Sequence, residues 1–117
     1  MTINHNEMVA ALVKPGEDIL SSLTASKANL LHMVMGISGE AGELLDAIKK
    51  HVVYNKPLDL ENVVEELGDI AFYIEGLIQE LGLTHEQVIN QNISKLSVRY
   101  AGLTYSDEAA QNRADKA

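Results

Sequence analysis

Apolar residues recur every three or four positions along the middle of the chain, which is the spacing of one face of an α-helix. The first such stretch runs from about Ser26 to Tyr54 and predicts the longest helix of the molecule. Its apolar positions are Leu30, Leu31, Val34, Ile37, Ala41, Leu44, Leu45, Ile48 and Val52. The sequence Asn55-Lys56-Pro57 is predicted to end this helix, because proline lacks the backbone N–H that a helix uses.

A second helix with the same period follows, with Asp59 as its predicted N-cap and Gly82 just beyond its end. Its apolar positions are Val63, Leu67, Ile70, Ile74, Leu77 and Leu81. Because the link between the two helices is short, they are predicted to pack as antiparallel neighbours. A capping box that begins at Thr84 starts a third helix, which is predicted to reach about Tyr100.

The two ends of the chain carry weaker patterns. Pro15-Gly16 interrupts an N-terminal stretch that is predicted to form a short helix or an arm. After Ala101 the periodicity fades. Ser106 is a candidate cap for a brief helix from Asp107 to Arg113, and the polar residues that follow predict a mobile C-terminal tail.

The composition supports a helical fold. Hydrophobic residues make up 46% of the 117 residues, yet aromatic residues make up only 4%, so the core must be aliphatic, as in packed helices. We therefore predict one all-α domain spanning residues 1–117, an antiparallel helical bundle with its core at about residues 26–100. Because the helices carry more apolar surface than one small bundle can bury, a homodimer or homotetramer is expected to complete the fold.

The charge and the cysteine count exclude several classes of protein. A formal net charge of -8 argues against a general nucleic-acid partner, which needs a basic surface. The absence of cysteine excludes disulfides and thiol chemistry. The polar N-terminus leads into no long apolar run, so neither a signal peptide, a membrane span nor a membrane partner is expected, and cytoplasm is the predicted location.

The clearest candidate chemistry lies in two acidic motifs, Glu40-Ala41-Gly42-Glu43 and Glu66-Leu67-Gly68-Asp69. In each motif two carboxylates lie three residues apart on a predicted helix and project from one face. Packing of the two helices would bring four carboxylates together, where two like charges about 4 Å apart repel by roughly 4 kcal/mol at an effective dielectric near 20. Hard oxygen ligands without cysteine favour Mg²⁺, or alternatively Mn²⁺, as the cation that offsets this repulsion.

Glycines at positions 36, 39, 42 and 68 lie within the predicted helices, near or inside the two acidic motifs. Each costs about 1 kcal/mol relative to alanine in a helix interior. Close approach of the helices beside the carboxylates would offset that cost, and a local bend would be an equally good reason.

The two acidic motifs, their embedded glycines and the downstream Asn92-Ile93-Ser94-Lys95-Leu96 together resemble the MazG-type all-α nucleoside triphosphate pyrophosphohydrolases. The resemblance covers about residues 31–100. It implies Mg²⁺-dependent hydrolysis of a nucleoside triphosphate, with a deoxynucleoside expected, to the monophosphate and pyrophosphate, as in cleaning of the nucleotide pool. It also implies that the catalytic, metal-binding residues are Glu40, Glu43, Glu66 and Asp69.

Several cations and one amide are candidates for binding the substrate's phosphates. Asn92, Lys95 and Arg99 recur at spacings of three and four along the third helix, so one helix face can offer all three side chains. A solvated stripe is the alternative interpretation. The resemblance adds Lys50, although Asp46 lies four residues before it, at the spacing of an ordinary helix ion pair.

Two ring side chains are candidates for contact with the nucleotide. Tyr73 lies one turn past Asp69 on nearly the same face, and His32 lies about two turns before Glu40. The alternative for each is a packing role in the core or at an interface.

Two other functions compete with hydrolysis. A di-iron or di-manganese carboxylate bundle typically uses Glu-x-x-His pairs, but here Glu43 and Asp69 stand where histidine is needed. A non-catalytic helical oligomerisation or adaptor module explains the amphipathic helices but not the carboxylates and glycines. Metal-dependent release of pyrophosphate separates this module from an enzyme.

Overall fold

The computed structural model describes residues 2–116, and within that range the chain is helical and contains no strand, which confirms the predicted all-α class. The helices are α1 His5–Leu12, α2 Gly16–Ser22, α3 Ala25–Val52, α4 Leu60–Glu80, α5 His85–Arg99 and α6 Asp107–Asn112, followed by a 3-10 turn at Ala114–Lys116. None of these helices is long and apolar enough to cross a membrane.

Side-chain caps fix where the two long helices begin. The Thr24 hydroxyl accepts a hydrogen bond from the backbone N–H of Lys27 at 3.1 Å, and the Asp59 carboxylate accepts one from Asn62 at the same distance. Both bonds satisfy backbone donors that the first turn of a helix leaves without a partner. The cap at Asp59 agrees with the prediction.

The long helices α3 and α4 pack against each other as an antiparallel hairpin, as predicted. Contacts along the hairpin share one register, in which the following residues face each other: Asn29 with Glu80, Met33 with Gly76, and Gly36 with Tyr73. In the same register Glu43 lies opposite Glu66. The hairpin therefore brings the two acidic motifs to the same level.

Two glycines allow the close contact between these helices. A Cβ atom at Gly36 would overlap the ring of Tyr73, and one at Gly76 would overlap the sulfur of Met33. Close helix approach is therefore the reason for Gly36. Gly76 plays a matching role on α4 that the sequence did not indicate.

The predicted capping box at the start of α5 is present. The Thr84 hydroxyl accepts from the Gln87 N–H at 3.1 Å, while the Gln87 side chain accepts from the Thr84 N–H at 2.8 Å. Ser106 caps α6 as predicted. Beyond α6 the chain turns back so that the Asp115 carboxylate accepts a hydrogen bond from Arg99 Nε at 2.9 Å. The predicted mobility of this tail stays a prediction.

Helix α2 was not predicted. Pro15 separates it from α1, and the sequence pattern indicated only a break at that point. The proline lies at the N-cap with φ near -59°, which suits the entry to a helix, and Glu17 and Asp18 lie in the first turn, where the helix dipole favours negative charge. The break therefore separates two short helices.

One chain does not enclose a core of ordinary size. Among residues 2–116, the buried residues are two apolar ones, Ala47 and Ile78, and one acid, Glu66. The radius of gyration is 20.2 Å, whereas a compact domain of this length has one of about 13 Å. Many large apolar side chains of the hairpin, Leu45 and Phe72 among them, are exposed.

Candidate metal centre

Three of the four predicted carboxylates meet between α3 and α4. Glu40 and Glu43 lie one turn apart on α3, and Glu66 faces them from α4. One carboxylate oxygen from each residue lies within 4.8 Å of those of the other two. The spacing along α3 and the register of the hairpin thus produce a cluster of three oxygen ligands.

The cluster contains buried charge without a compensating partner. Glu66 is only 7% exposed, although glutamate is rarely buried unless it is paired. The Oε2 atoms of Glu66 and Glu40 are both buried and have no hydrogen-bond partner. An ionised carboxylate in this position is unfavourable unless a proton or a cation compensates it.

The same surroundings change the proton affinity of Glu66. The facing carboxyl of Glu40, burial and the negative charge of Glu43 together raise the pKa of Glu66 to about 7. Glu66 therefore holds a proton through much of the range below neutral pH. A bound cation would take the place of that proton.

Asp69 is exposed and does not belong to the three-carboxylate cluster. It lies one turn beyond Glu66 on α4 and, by the register of the hairpin, at the level of Glu40. To bind the same metal ion as the other three carboxylates, the Asp69 side chain would have to move toward the cluster. Its role as a ligand stays a prediction.

An open cleft of about 440 Å³ adjoins the cluster. Its lining residues are Gly39, Gly42, Glu43, Asp46, Asn62 and Glu66. Asp46 and Asn62 were not among the predicted site residues. A signal for them exists in the spacing, because Asp46 lies three residues after Glu43 and Asn62 lies four residues before Glu66, each one turn further along the same helix.

Lys50 lies beside this cleft, because it forms an ion pair with Asp46, one of the residues that line the cleft. The two side chains form an ion pair of 2.9 Å, as the spacing predicted, and both are more than half exposed. The hydrogen bond and the positive charge of Lys50 lower the pKa of Asp46. Lys50 is thus the cation held next to the residues that line the cleft.

The two predicted ring contacts lie together on the other side of the cluster. The half-buried Tyr73 ring packs into the notch at Gly36, and the His32 ring lies 6.2 Å from it, centroid to centroid. Phe72 packs edge-on against Tyr73 at 5.2 Å. Tyr73 therefore has a packing role, and contact of Tyr73 or His32 with a nucleotide stays a prediction.

The three predicted residues of α5 are not brought to the carboxylates within one chain. Helix α5 packs mainly on α6 and the C-terminal turn, not on the hairpin. Arg99 is paired with Asp115 at 2.9 Å, and Lys95 lines a separate cavity of about 300 Å³ beside that turn. Asn92 is exposed. Binding of phosphate by Asn92, Lys95 and Arg99 stays a prediction.

The donor set suits a hard divalent cation. All three clustered side chains offer carboxylate oxygen, which Mg²⁺ and Mn²⁺ prefer. Histidine takes no part in the cluster, so the Glu-x-x-His pattern of di-iron bundles is missing from it. The orphaned oxygens of Glu40 and Glu66 fit the same interpretation.

Comparisons with known proteins agree with the geometry. A family model described as the MazG nucleotide pyrophosphohydrolase domain matches residues 28–103, which include both acidic motifs and α5. The gene 37 protein of Mycobacterium phage L5 is 33% identical over 75 residues. That alignment covers 60% of this chain and 65% of the phage protein, slightly less than two thirds of its length. No solved structure matches the chain.

Proposed function

We propose that this chain, which belongs to the MazG nucleotide pyrophosphohydrolase family, hydrolyses a nucleoside triphosphate to the monophosphate and pyrophosphate in a Mg²⁺-dependent reaction. The observation that carries the proposal is Glu66, which is buried with an unpartnered oxygen between two further carboxylates. A deoxynucleoside triphosphate is the proposed substrate. The expectations of a cytoplasmic location, a role in cleaning the nucleotide pool and no nucleic-acid partner stay predictions from the sequence.

The proposed metal ligands are Glu40, Glu43 and Glu66, with Asp69 as a fourth. When bound there, Mg²⁺ would neutralise part of the triphosphate's negative charge and polarise its phosphoryl oxygens. Without such a cation, the acidic cluster repels an anionic substrate. The metal requirement therefore follows from the sign of the charges at the site, and Mn²⁺ offers the same chemistry.

One of the clustered carboxylates is also proposed to act as the general base of the reaction. By family analogy, water attacks the α-phosphorus, and one of the clustered carboxylates accepts a hydrogen bond from that water and takes its proton. Glu43 is more exposed than Glu66 and lines the cleft, so its carboxylate can contact a water molecule there.

A second copy of the chain is proposed to complete the fold and the site. The chain exposes 9431 Å², whereas a folded monomer of 12.8 kDa exposes about 6,300 Å². The difference is about 3,100 Å² per chain, or roughly 6,200 Å² for a pair of chains, which lies at the large end of what obligate subunit interfaces bury in total. We therefore propose a homodimer or homotetramer in which apolar faces of α3 and α4 are covered.

The same assembly would explain the position of the predicted phosphate-binding residues. Since α5 packs mainly on α6 and the C-terminal turn of its own chain, its Asn92, Lys95 and Arg99 are proposed to approach the carboxylates of a neighbouring copy. Lys50 is proposed to bind phosphate from the chain that carries the cluster, because it lies beside the cleft.

The proposal is tested by measuring pyrophosphate release from a panel of canonical and modified nucleoside triphosphates, with Mg²⁺ and with a chelator. Glu43→Gln is expected to lower the rate at least about a hundredfold, because a carboxylate that binds metal and polarises water is lost. Glu65→Gln is the matched control, since Glu65 is exposed and outside the cluster. Folded wild-type protein that releases no pyrophosphate would favour the oligomerisation module.

A further inference from the structure

Two glycines of α3 have no structural reason within the chain. Gly36 is explained by the Tyr73 ring that packs against it. By contrast, a Cβ atom at Gly39 or Gly42 would meet no atom of the chain within 4 Å. Because glycine disfavours a helix relative to alanine, a contact outside the chain would offset the cost of these two, as would a local bend of α3.

The position of these glycines identifies that contact. Both line the cleft beside the carboxylate cluster, on the same face of α3 as Glu43. Glu66 lines the same cleft, is 7% exposed and carries an oxygen without a hydrogen-bond partner. A buried carboxylate that lacks a partner indicates that a cation binds at this place, and the bare backbone of α3 beside it leaves room for a group that the cation would hold.

We propose that Gly39 and Gly42 form the surface of α3 on which the metal-bound phosphate chain of the substrate lies, so that these two positions determine whether the substrate fits. This inference rests on the proposed function. A methyl group at either position would lie beside the cleft, with no atom of the chain within 4 Å of it. The phosphate chain of the substrate would need that space.

The groups at the end of the cleft match this assignment. Asn62 lies one turn from Glu66 toward the hairpin loop, and its amide can donate to a phosphate oxygen. Lys50 lies beside the same end, held at 2.9 Å from Asp46. A phosphate chain that lies along Gly39 and Gly42 and continues past Glu43 toward the hairpin loop would therefore reach an amide and an ammonium group.

The test compares Gly39→Ala and Gly42→Ala with Gly68→Ala. Gly68 is the matched control because it is also helical, also has no atom within 4 Å of an added Cβ, and does not line the cleft. For the nucleoside triphosphate that the wild type hydrolyses best, kcat/KM is expected to fall about tenfold or more in the first two variants, mainly through KM. Gly68→Ala should keep the wild-type value.

Three further measurements make the result specific. Mn²⁺ binding, followed by calorimetry, should be unchanged in Gly39→Ala and Gly42→Ala, because the three carboxylates remain. The mass of the assembly should also be unchanged. The thermal midpoint should stay the same or rise, since alanine favours the helix.

Two results would overturn the inference while leaving the proposed function intact. One is wild-type kcat/KM in both cleft variants. The other is a loss of activity that is accompanied by dissociation of the assembly, which would show that a second copy of the chain occupies the space. If the wild type releases pyrophosphate from no nucleoside triphosphate, the proposed function and this inference both fail.

Discussion

Glu40 and Glu66 face each other between α3 and α4, and the Oε2 atom of each is buried without a hydrogen-bond partner. The two carboxyl groups come from different helices, so the hairpin holds them together whether or not they are charged. When one of them is protonated it can donate a hydrogen bond to the other. When both are ionised, only a cation can compensate them. Protons and divalent cations are therefore expected to compete for this position.

The first prediction concerns stability in the absence of metal. The pKa of Glu66 is raised to about 7 in the folded chain, from its ordinary value of 4.5. Between these values the folded state holds a proton that the unfolded state releases. The contribution of this group to stability is therefore complete below pH 4.5 and is lost as the pH rises through about 7. In a chelator, the thermal midpoint should be lower at pH 8 than at pH 5.5.

Glu66→Gln tests the assignment of that pH dependence. The amide has no charge to bury, so the variant should lose most of the pH dependence and should melt above the wild type at pH 8 without metal. Glu65→Gln, the exposed neighbour, should keep the wild-type dependence. If the thermal midpoint of Glu66→Gln changes with pH as steeply as that of the wild type, another group is responsible for the pH dependence.

The second prediction concerns Asp69. Its carboxylate is exposed, so Asp69→Asn should leave the thermal midpoint unchanged in a chelator. If Asp69 moves to the metal as the fourth ligand, the same substitution should weaken Mn²⁺ binding about tenfold and lower pyrophosphate release. Calorimetric titration with Mn²⁺ measures the first effect, with Glu65→Gln as the reference. Wild-type Mn²⁺ affinity in Asp69→Asn would mean that the three clustered carboxylates are sufficient.

The third prediction concerns the contact between the helices. Gly36→Ala places a methyl group against the Tyr73 ring and should destabilise the protein by about 1–3 kcal/mol. Gly76→Ala should cost less, because the side chain that it meets is the flexible Met33. Gly39→Ala, which meets no atom, should instead stabilise the helix by about 1 kcal/mol. Urea denaturation at one fixed protein concentration gives these differences. A Gly36→Ala variant as stable as the wild type would contradict the close packing.

The features that the sequence predicted correctly are those that nearby residues determine. The caps at Asp59 and Thr84 and the pairing of Asp46 with Lys50 depend on residues three or four positions apart. The meeting of the two acidic motifs required one further step, the antiparallel packing that a short link imposes.

The features that the sequence did not predict depend on contacts between distant residues. The match of Gly36 with Tyr73 requires the register of the hairpin, which helical periodicity alone does not specify. The same register decides that Asn62 lines the cleft and that Asp69 does not. Helix α5 packs mainly on α6 and the C-terminal turn, and helical periodicity alone does not specify this pairing either.

The fourth prediction is that the protein is a stable oligomer. Leu45 on α3 and Phe72 on α4 are 69% and 67% exposed, although large apolar side chains on both helices of a hairpin are normally covered. Burying them against a second copy would supply the core that one chain lacks. Analytical ultracentrifugation should therefore give the mass of a dimer or tetramer at micromolar concentration, and the thermal midpoint should rise with protein concentration.

Charged substitutions in the hairpin should break this assembly, because an unpaired charge in an apolar interface is strongly unfavourable. Leu45→Glu and Phe72→Glu are expected to lower the mass to that of one chain, or to unfold it, and to abolish pyrophosphate release although neither residue lies in the three-carboxylate cluster. Leu103→Ser is the control, since Leu103 is 81% exposed but lies in the segment after α5. A wild type that sediments as one chain and keeps full activity would mean that the carboxylates of the hairpin act without the α5 residues of a neighbouring copy.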